Sequence, residues 1–145
     1  MQVTQILRQK GREVVSLSSD ASLSDATRLL ANKRIGALVI KDEKGGLAGM
    51  LSERDVVRAL AAESVRALAR PVSAYMTRSV ATCFEHDTLE DLMAMMTQGR
   101  FRHVPVLDAS GQLVGLVSIG DVVKLQIEET MREASNLREY IAAAG

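Results

Sequence analysis

A nine-residue stretch occurs twice in this chain and limits the folds that it can adopt. Residues 49–57 read GMLSERDVV, and residues 115–123 read GLVSIGDVV, at a constant offset of 66 (115 − 49). The same offset aligns Leu23 with Leu89 and much of the sequence between the copies. Self-similarity at a fixed period indicates a supersecondary unit that buries its apolar face by stacking on its copy. The sequence therefore predicts two similar halves that pack together.

Each copy predicts the order strand, helix, strand, strand, helix. In the first copy, a strand over 14–17 precedes a helix that begins at a Ser-x-x-Asp capping box at Ser22. The apolar run 37–40 has the length and branching of a buried strand. The Asp- and Gly-containing turn 42–46 then leads into a further strand, which ends at Ser52 where the next helix begins.

Three segments flank or join the copies. Residues 3–10 predict a short amphipathic helix ended by Gly11, and we expect it to pack across the repeats. Residues 61–70 are helix-like, and the connector 71–77 is too apolar for a flexible linker. Residues 125–141 predict a long C-terminal helix with an apolar stripe, which either forms a dimer contact or packs on the chain's own core.

These segments divide one compact module into three parts. We assign residues 1–70 to the N-terminal helix and first repeat, 71–127 to the second repeat and 128–145 to the C-terminal helix. With 145 residues, of which 47% are hydrophobic, the chain has ample apolar material for a core.

Composition excludes several functional classes. The 18 Lys and Arg residues balance 18 Asp and Glu residues, and aromatic residues are only 3% of the chain, which argues against a nucleic-acid partner. No apolar run approaches the roughly 18 residues that span a bilayer, and the N-terminal residues are too polar for a signal peptide. We expect a cytoplasmic protein that does not bind membranes.

We expect no catalytic residue, catalytic cofactor or metal site. The single cysteine, Cys83, excludes an internal disulfide and, in a predicted strand, is expected to be buried and inert. The cluster 85–87 (Glu-His-Asp) lies before a predicted helix and has no second histidine at ligand spacing. No triad or phosphate-binding loop is present either, so an enzyme acting on a nucleotide is the weakest of three hypotheses.

The motifs together resemble a pair of cystathionine β-synthase (CBS) domains over nearly the whole chain. They are the two Gly-x-x-Ser-x-x-Asp stretches, the Arg-His-x-Pro-Val run over 102–106, Met76-Thr77 before the second copy, and the period of 66. The resemblance implies an α+β fold with two βαββα repeats packed sheet to sheet in pseudo-twofold symmetry, with flanking N- and C-terminal helices. It also implies two clefts between the repeats that bind adenosyl ligands such as AMP, ADP, ATP, NAD or S-adenosylmethionine, and a homodimer.

The repeated strand-to-helix junction has the chemistry to hold a nucleotide. The free N–H groups and positive dipole end of each helix suit phosphate, and Ser52 and Ser118 add hydroxyl donors. Asp55 and Asp121 present two acceptor oxygens to the ribose hydroxyls. The same spacing is also an ordinary capping box, so it does not by itself require a ligand.

The predicted adenine pocket follows from the resemblance. In this family, the first strand of a repeat supplies backbone groups to the adenine edge, and apolar side chains of the neighbouring strands sandwich the ring. On this chain those positions are Val15, Ser16, Ala81, Thr82, Met50, Leu51, Leu116, Val117, Pro105 and Gly36.

The two clefts are not expected to be equal, because basic residues do not repeat. Arg102 and His103 correspond to Gly36 and Ala37 in the first copy, and Arg54 corresponds to Gly120 in the second. By resemblance, the cleft with Ser52, Arg54 and Asp55 receives His103 and Arg102 as phosphate ligands. The other cleft, with Ser118, Asp121, Ser16 and Gly36, either prefers a less charged ligand or stays empty.

Two functional hypotheses lead. The first is a non-enzymatic sensor that binds an adenosyl ligand and responds through the packing of its repeats and of its dimer. The second is an interaction protein whose repeats only dimerise and whose clefts bind nothing. The downstream partner is not identified by either.

Overall fold

The computed structural model describes residues 1–144, which fold into the predicted α+β architecture of two three-stranded sheets and five α-helices. In chain order the elements are α1 (Val3–Lys10), β1 (Ser16–Ser18), α2 (Leu23–Lys33), β2 (Ala37–Lys41), β3 (Leu47–Ser52), α3 (Glu53–Glu63), β4 (Cys83–Phe84), α4 (Leu89–Gly99), β5 (His103–Leu107), β6 (Leu113–Ser118) and α5 (Ile119–Ala144). Short 3₁₀ helices at Ser64–Ala69 and Val72–Ala74 connect the repeats. The order strand, helix, strand, strand, helix is confirmed in both copies. Of the segment 128–145, Gly145 lies outside the described residues.

The two sheets have the same topology. In each, the first strand pairs in parallel with the second, which pairs antiparallel with the third. The hairpin turns also match: the Asp42 carboxylate accepts the N–H groups of Lys44 and Gly46, and Gly45 has a φ of +80°. Only glycine adopts that backbone conformation at little cost, which explains the Asp–Gly spacing of the turn.

Alternation along the strands gives each sheet two buried faces. In the first repeat, Leu38, Ile40 and Leu51 are fully buried against the helices. Their neighbours Val39 and Met50, which are register partners, point to the opposite face and are buried outside that helix-side cluster. The second repeat has the same arrangement, so the faces away from the helices line the space between the repeats.

Each repeat is completed by the segment that precedes the other one. Helix α1 was predicted to pack across both repeats. Instead, it packs into the core of the second repeat through Val3, Ile6 and Leu7. Val72 and Met76, which precede the second repeat, belong to the core of the first. Backbone hydrogen bonds anchor both segments on the partner repeat, as in the isolated bridges Gln2 with Thr88 and Ser22 with Pro71. The halves are therefore interlocked.

The motif glycines make room for these exchanged segments. A Cβ atom on Gly115 would lie 2.6 Å from Leu7 Cδ2, and a Cβ on Gly49 would lie 2.6 Å from the Thr77 carbonyl oxygen and 2.9 Å from Met76 Sδ. Real Cβ atoms do not approach so closely, so the glycine of the repeated motif is required by packing.

Helix α5 extends well beyond the second repeat. Only Val122 and Leu125 are buried, and the apolar residues after them are exposed, including Ile127, Met131 and Ile141. The predicted apolar stripe therefore packs on the chain's own core only at Leu125. Across residues 1–144, none of the helices has both the length and the apolar character that crossing a bilayer requires.

Candidate functional site

A cavity of about 720 Å³ lies between the repeats, where the strand-to-helix junction of the first repeat faces the second. The first repeat contributes residues 52–55, which end β3 and begin α3. The second contributes 79–81 before β4 and 100–103 before and within β5. Its volume is within the range of small-molecule sites.

The β3–α3 junction fixes a carboxylate at this cavity. Asp55 Oδ2 accepts hydrogen bonds from the Ser52 N–H at 2.9 Å and the Ser52 hydroxyl at 3.1 Å, and Ser52 Oγ accepts the Asp55 N–H. This capping box satisfies donors at the start of α3. Among the hydrogen bonds within residues 1–144, none uses Asp55 Oδ1, so this oxygen can accept donors from a ligand. The capping and binding interpretations of the motif are thus compatible.

Four basic side chains line the cavity. Arg54, Arg102 and His103 were predicted as phosphate ligands, and the structure brings all three into the cavity with Ser52. Arg100 was missed. Arg100 follows the last residue of α4 and has a left-handed backbone conformation, with a φ of +57°. In the sequence, only its position two residues before Arg102 indicated that it could line the site.

The surroundings of His103 favour its neutral form. Burial lowers the pKa of His103 below its usual value, and the nearby positive charges of Lys10 and Arg102 lower it further, against the opposing effect of Asp121 and Glu53. An anion placed beside a neutral imidazole favours its protonation.

The second junction repeats two of the three internal hydrogen bonds of the first, and its carboxylate is already paired with a lysine. Asp121 Oδ2 accepts the Ser118 N–H at 2.8 Å, and Ser118 Oγ accepts the Asp121 N–H. Lys10 Nζ lies 2.7 Å from the same Asp121 oxygen. Burial would raise the pKa of Asp121, but the hydrogen bonds from Lys10 and Ser118 outweigh it and lower the pKa. Asp121 is therefore ionised and neutralised by a residue of the chain itself.

Two residues predicted for the second cleft lie elsewhere. Ser118 and Gly36 line the same cavity as Ser52, because that cavity reaches across to the start of α5. Ser16, by contrast, lies in β1 and is half-buried. The structure thus brings Ser118 and Gly36, but not Ser16, to the cavity of Ser52.

The predicted adenine pocket is only partly assembled. Met50, Ala81 and Gly36 line the cavity, and Thr82 follows Ala81 in the chain and is half-buried. Val15 is packed against the core of the first repeat.

Leu51 and Val117 were wrong as pocket residues. Both are 0% exposed in the helix-side cores, because alternation along β3 and β6 points them away from their neighbours Met50 and Leu116. Pro105 is buried and pairs with Leu116, which is half-buried.

The cysteine has no reactive environment. Cys83 is 1% exposed, and burial together with the nearby Asp87 raises the pKa of its thiol to about 12. Within residues 1–144, no three His, Cys, Asp or Glu side chains are grouped so that they could hold a metal ion.

The family model for the CBS domain matches residues 5–62 and 72–128. The chain belongs to the CBS domain family. Both repeats are matched, which confirms the resemblance inferred from the repeated Gly-x-x-Ser-x-x-Asp motif. The first match begins within α1, the segment that this CBS pair exchanges between its repeats.

Solved CBS structures share the fold. A CBS-domain protein from Agrobacterium tumefaciens, ATU1752, is 43% identical, with a TM-score of 0.83 over 86% of this chain and 92% of its own. PAE2072 from Pyrobaculum aerophilum, solved in complex with AMP, is 28% identical, with a TM-score of 0.75 over 83% of this chain and 89% of its own. The CBS pair of MJ0100, solved with 5′-methylthioadenosine and S-adenosylmethionine, is 27% identical, with a TM-score of 0.78 over 89% of this chain and 98% of its own.

Proposed function

We propose that this CBS pair is a non-enzymatic regulatory module that binds one adenine nucleotide in the cavity between its repeats. The observation that carries the proposal is the Asp55 carboxylate, which α3 holds in a 720 Å³ cavity opposite basic side chains of the second repeat. Similar CBS pairs crystallised with AMP and with S-adenosylmethionine support an adenosyl ligand.

Each part of the nucleotide has a counterpart in the cavity. Asp55 Oδ1 accepts the ribose hydroxyls, as an acidic residue does in dinucleotide-binding folds. The phosphates lie at the start of α3, where Ser52 and Arg54 meet Arg102 and His103. The adenine ring lies between Met50 and the backbone near Ala81.

The regulatory response to the ligand is a change in the packing of a homodimer. Val57 on α3 and Val123 on α5, which are 66 residues apart, are 65% and 50% exposed, and Ile127 is exposed about one turn after Val123. Exposed apolar residues of this kind are typical of an interface with a second copy of the same chain. Ligand in the adjacent cavity changes the dimer only as far as it binds the two packings differently.

Calorimetric titration with AMP, ATP, NAD and S-adenosylmethionine, followed by sedimentation velocity with and without ligand, tests the proposal. We expect one ligand per chain and a dimer whose sedimentation coefficient changes on binding. A stable dimer that binds none of the four would instead support the alternative, an interaction scaffold whose cavity is not a binding site.

Nucleotide binding should be coupled to protonation of His103. The pKa of the imidazole is lowered in the free protein, and an adjacent phosphate raises it, so the complex holds more protons than the free protein. Affinity for ATP should therefore increase as pH falls from about 8 to about 6. A charge-assisted hydrogen bond exceeds a neutral one by about 1 kcal/mol, or about fivefold in affinity.

Titrations at several pH values, each repeated with His103→Gln, measure this effect. The variant keeps a polar side chain but does not titrate, so it separates His103 from protonation of the nucleotide itself. If the wild type and His103→Gln show the same pH dependence, His103 does not gain a proton on binding.

A further inference from the structure

At the junction of the second repeat, the positively charged side chain of Lys10 contacts the capping carboxylate of Asp121. Lys10 Nζ donates a hydrogen bond to Asp121 Oδ2 at 2.7 Å and another to the Leu116 carbonyl oxygen at 2.8 Å. At the offset of 66, these acceptors correspond to Asp55 and Met50, both of which line the open cavity. The ammonium group thus contacts the carboxylate that corresponds to the proposed ribose-binding carboxylate of the first repeat.

An extra turn of helix brings Lys10 there. The exchanged residues Val3 and Leu7 correspond to Val72 and Met76 at an offset of 69 (72 − 3 and 76 − 7), whereas the offset from position 14 onward is 66. The first repeat therefore has three additional residues before its first strand. They allow α1 to continue to Lys10, where Gly11, at a φ of +97°, ends the helix by donating its N–H to the Leu7 carbonyl.

The corresponding segment of the second repeat leaves its cleft open. Its 3₁₀ helix ends at Ala74, and the residue at an offset of 69 from Lys10 is Ser79, a short neutral side chain that lines the cavity. Besides the basic residues that do not repeat, the two clefts thus differ in a lysine on a longer helix in one and a serine on a loop in the other.

We propose that Lys10 closes the second cleft and limits this CBS pair to one nucleotide per chain. The proposal rests on the proposed function for the first cleft. Ribose hydroxyls would donate to the carboxylate without neutralising it, whereas the Lys10 ammonium also neutralises its charge and is part of the chain. The pair is also partly shielded from solvent, since the side chains of Lys10 and Asp121 are 35% and 24% exposed.

The second cleft repeats two other parts of the first, the strand-to-helix junction and the backbone of the first strand. Ser118 and Asp121 repeat the capping box of Ser52 and Asp55 at the start of a helix. The backbone at 14–16 repeats that at 80–82, part of which lines the open cavity. Removal of the lysine side chain should therefore open a second site, which binds AMP more weakly than the first because it lacks counterparts of Arg54, Arg102 and His103.

The test is the number of AMP molecules bound per chain, measured by calorimetry on the full-length protein. We expect Lys10→Ser, which copies Ser79, to bind one more AMP per chain than the wild type. Lys10→Ala, which preserves helix propensity, should do the same, and the double variant Lys10→Ser/Asp121→Asn should lose the added site. Lys33→Ser, at an exposed lysine in the last turn of α2, is the matched control and should leave the number unchanged.

Failure of this proposal and of the proposed function can be distinguished. If folded Lys10→Ser and Lys10→Ala bind as many AMP molecules as the wild type, Lys10 does not close a site. If the wild type binds no AMP and both variants bind one, Lys10 does close the second cleft, whereas the proposed function of the first cleft and the limit of one nucleotide per chain are wrong. Circular dichroism of every variant establishes that each is folded.

Discussion

Asp55→Asn should weaken AMP binding by about tenfold to a hundredfold. The change replaces a charged acceptor with a neutral one at the oxygen that we propose for the ribose hydroxyls, and hydrogen bonds to charged groups contribute about 1.5–3 kcal/mol. Asparagine keeps an oxygen that can accept the Ser52 N–H, so the start of α3 is retained. Calorimetric affinity, with the thermal unfolding midpoint measured in parallel, separates lost binding from lost structure.

Asp121→Asn provides a matched control within the same chain. It makes the same chemical change in the same capping box of the other repeat, at a carboxylate that is already paired with Lys10. We expect it to leave AMP affinity within about twofold, which is less than one neutral hydrogen bond contributes. Equal losses in the two variants would mean that the carboxylates act through the fold and not through contact with AMP.

Local patterns explain why the repeats and the junctions could be predicted from the sequence. Capping boxes, the Asp–Gly turns and apolar runs each depend on residues within a few positions of one another. The same rules show where the prediction of the pocket failed. Leu51 and Val117 were assigned to the ring by proximity to Met50 and Leu116, although adjacent residues on a strand point to opposite faces.

Contacts distant in sequence were not accessible to pattern analysis. Lys10 and Asp121 are 111 positions apart, and nothing in the composition of α1 connects a lysine near Gly11 to the second junction. The exchange of segments was missed for the same reason. Its signal, an offset that changes from 69 to 66 between positions 7 and 14, becomes visible only once the two cores are compared.

The exchange makes a small N-terminal helix essential to the opposite half of the molecule. Leu7 is 1% exposed in the core of the second repeat, and its side chain fills the space that Gly115 leaves over β6. Leu7→Ala should therefore lower the free energy of unfolding by about 2–5 kcal/mol, the cost of a buried leucine and its cavity. This is a large part of the roughly 5–15 kcal/mol that stabilises a typical domain.

Urea denaturation measures the decrease in the free energy of unfolding. Leu137→Ala is the matched control, because Leu137 is 59% exposed on α5. This variant should change the free energy of unfolding by less than about 0.5 kcal/mol. Native-state hydrogen exchange then tests the exchange of segments itself. In Leu7→Ala, amides of β5 and β6 should lose more protection than those of β2 and β3, because α1 packs on the second repeat. Greater loss in β2 and β3 would place α1 on the first repeat, and Lys10 then could not reach Asp121.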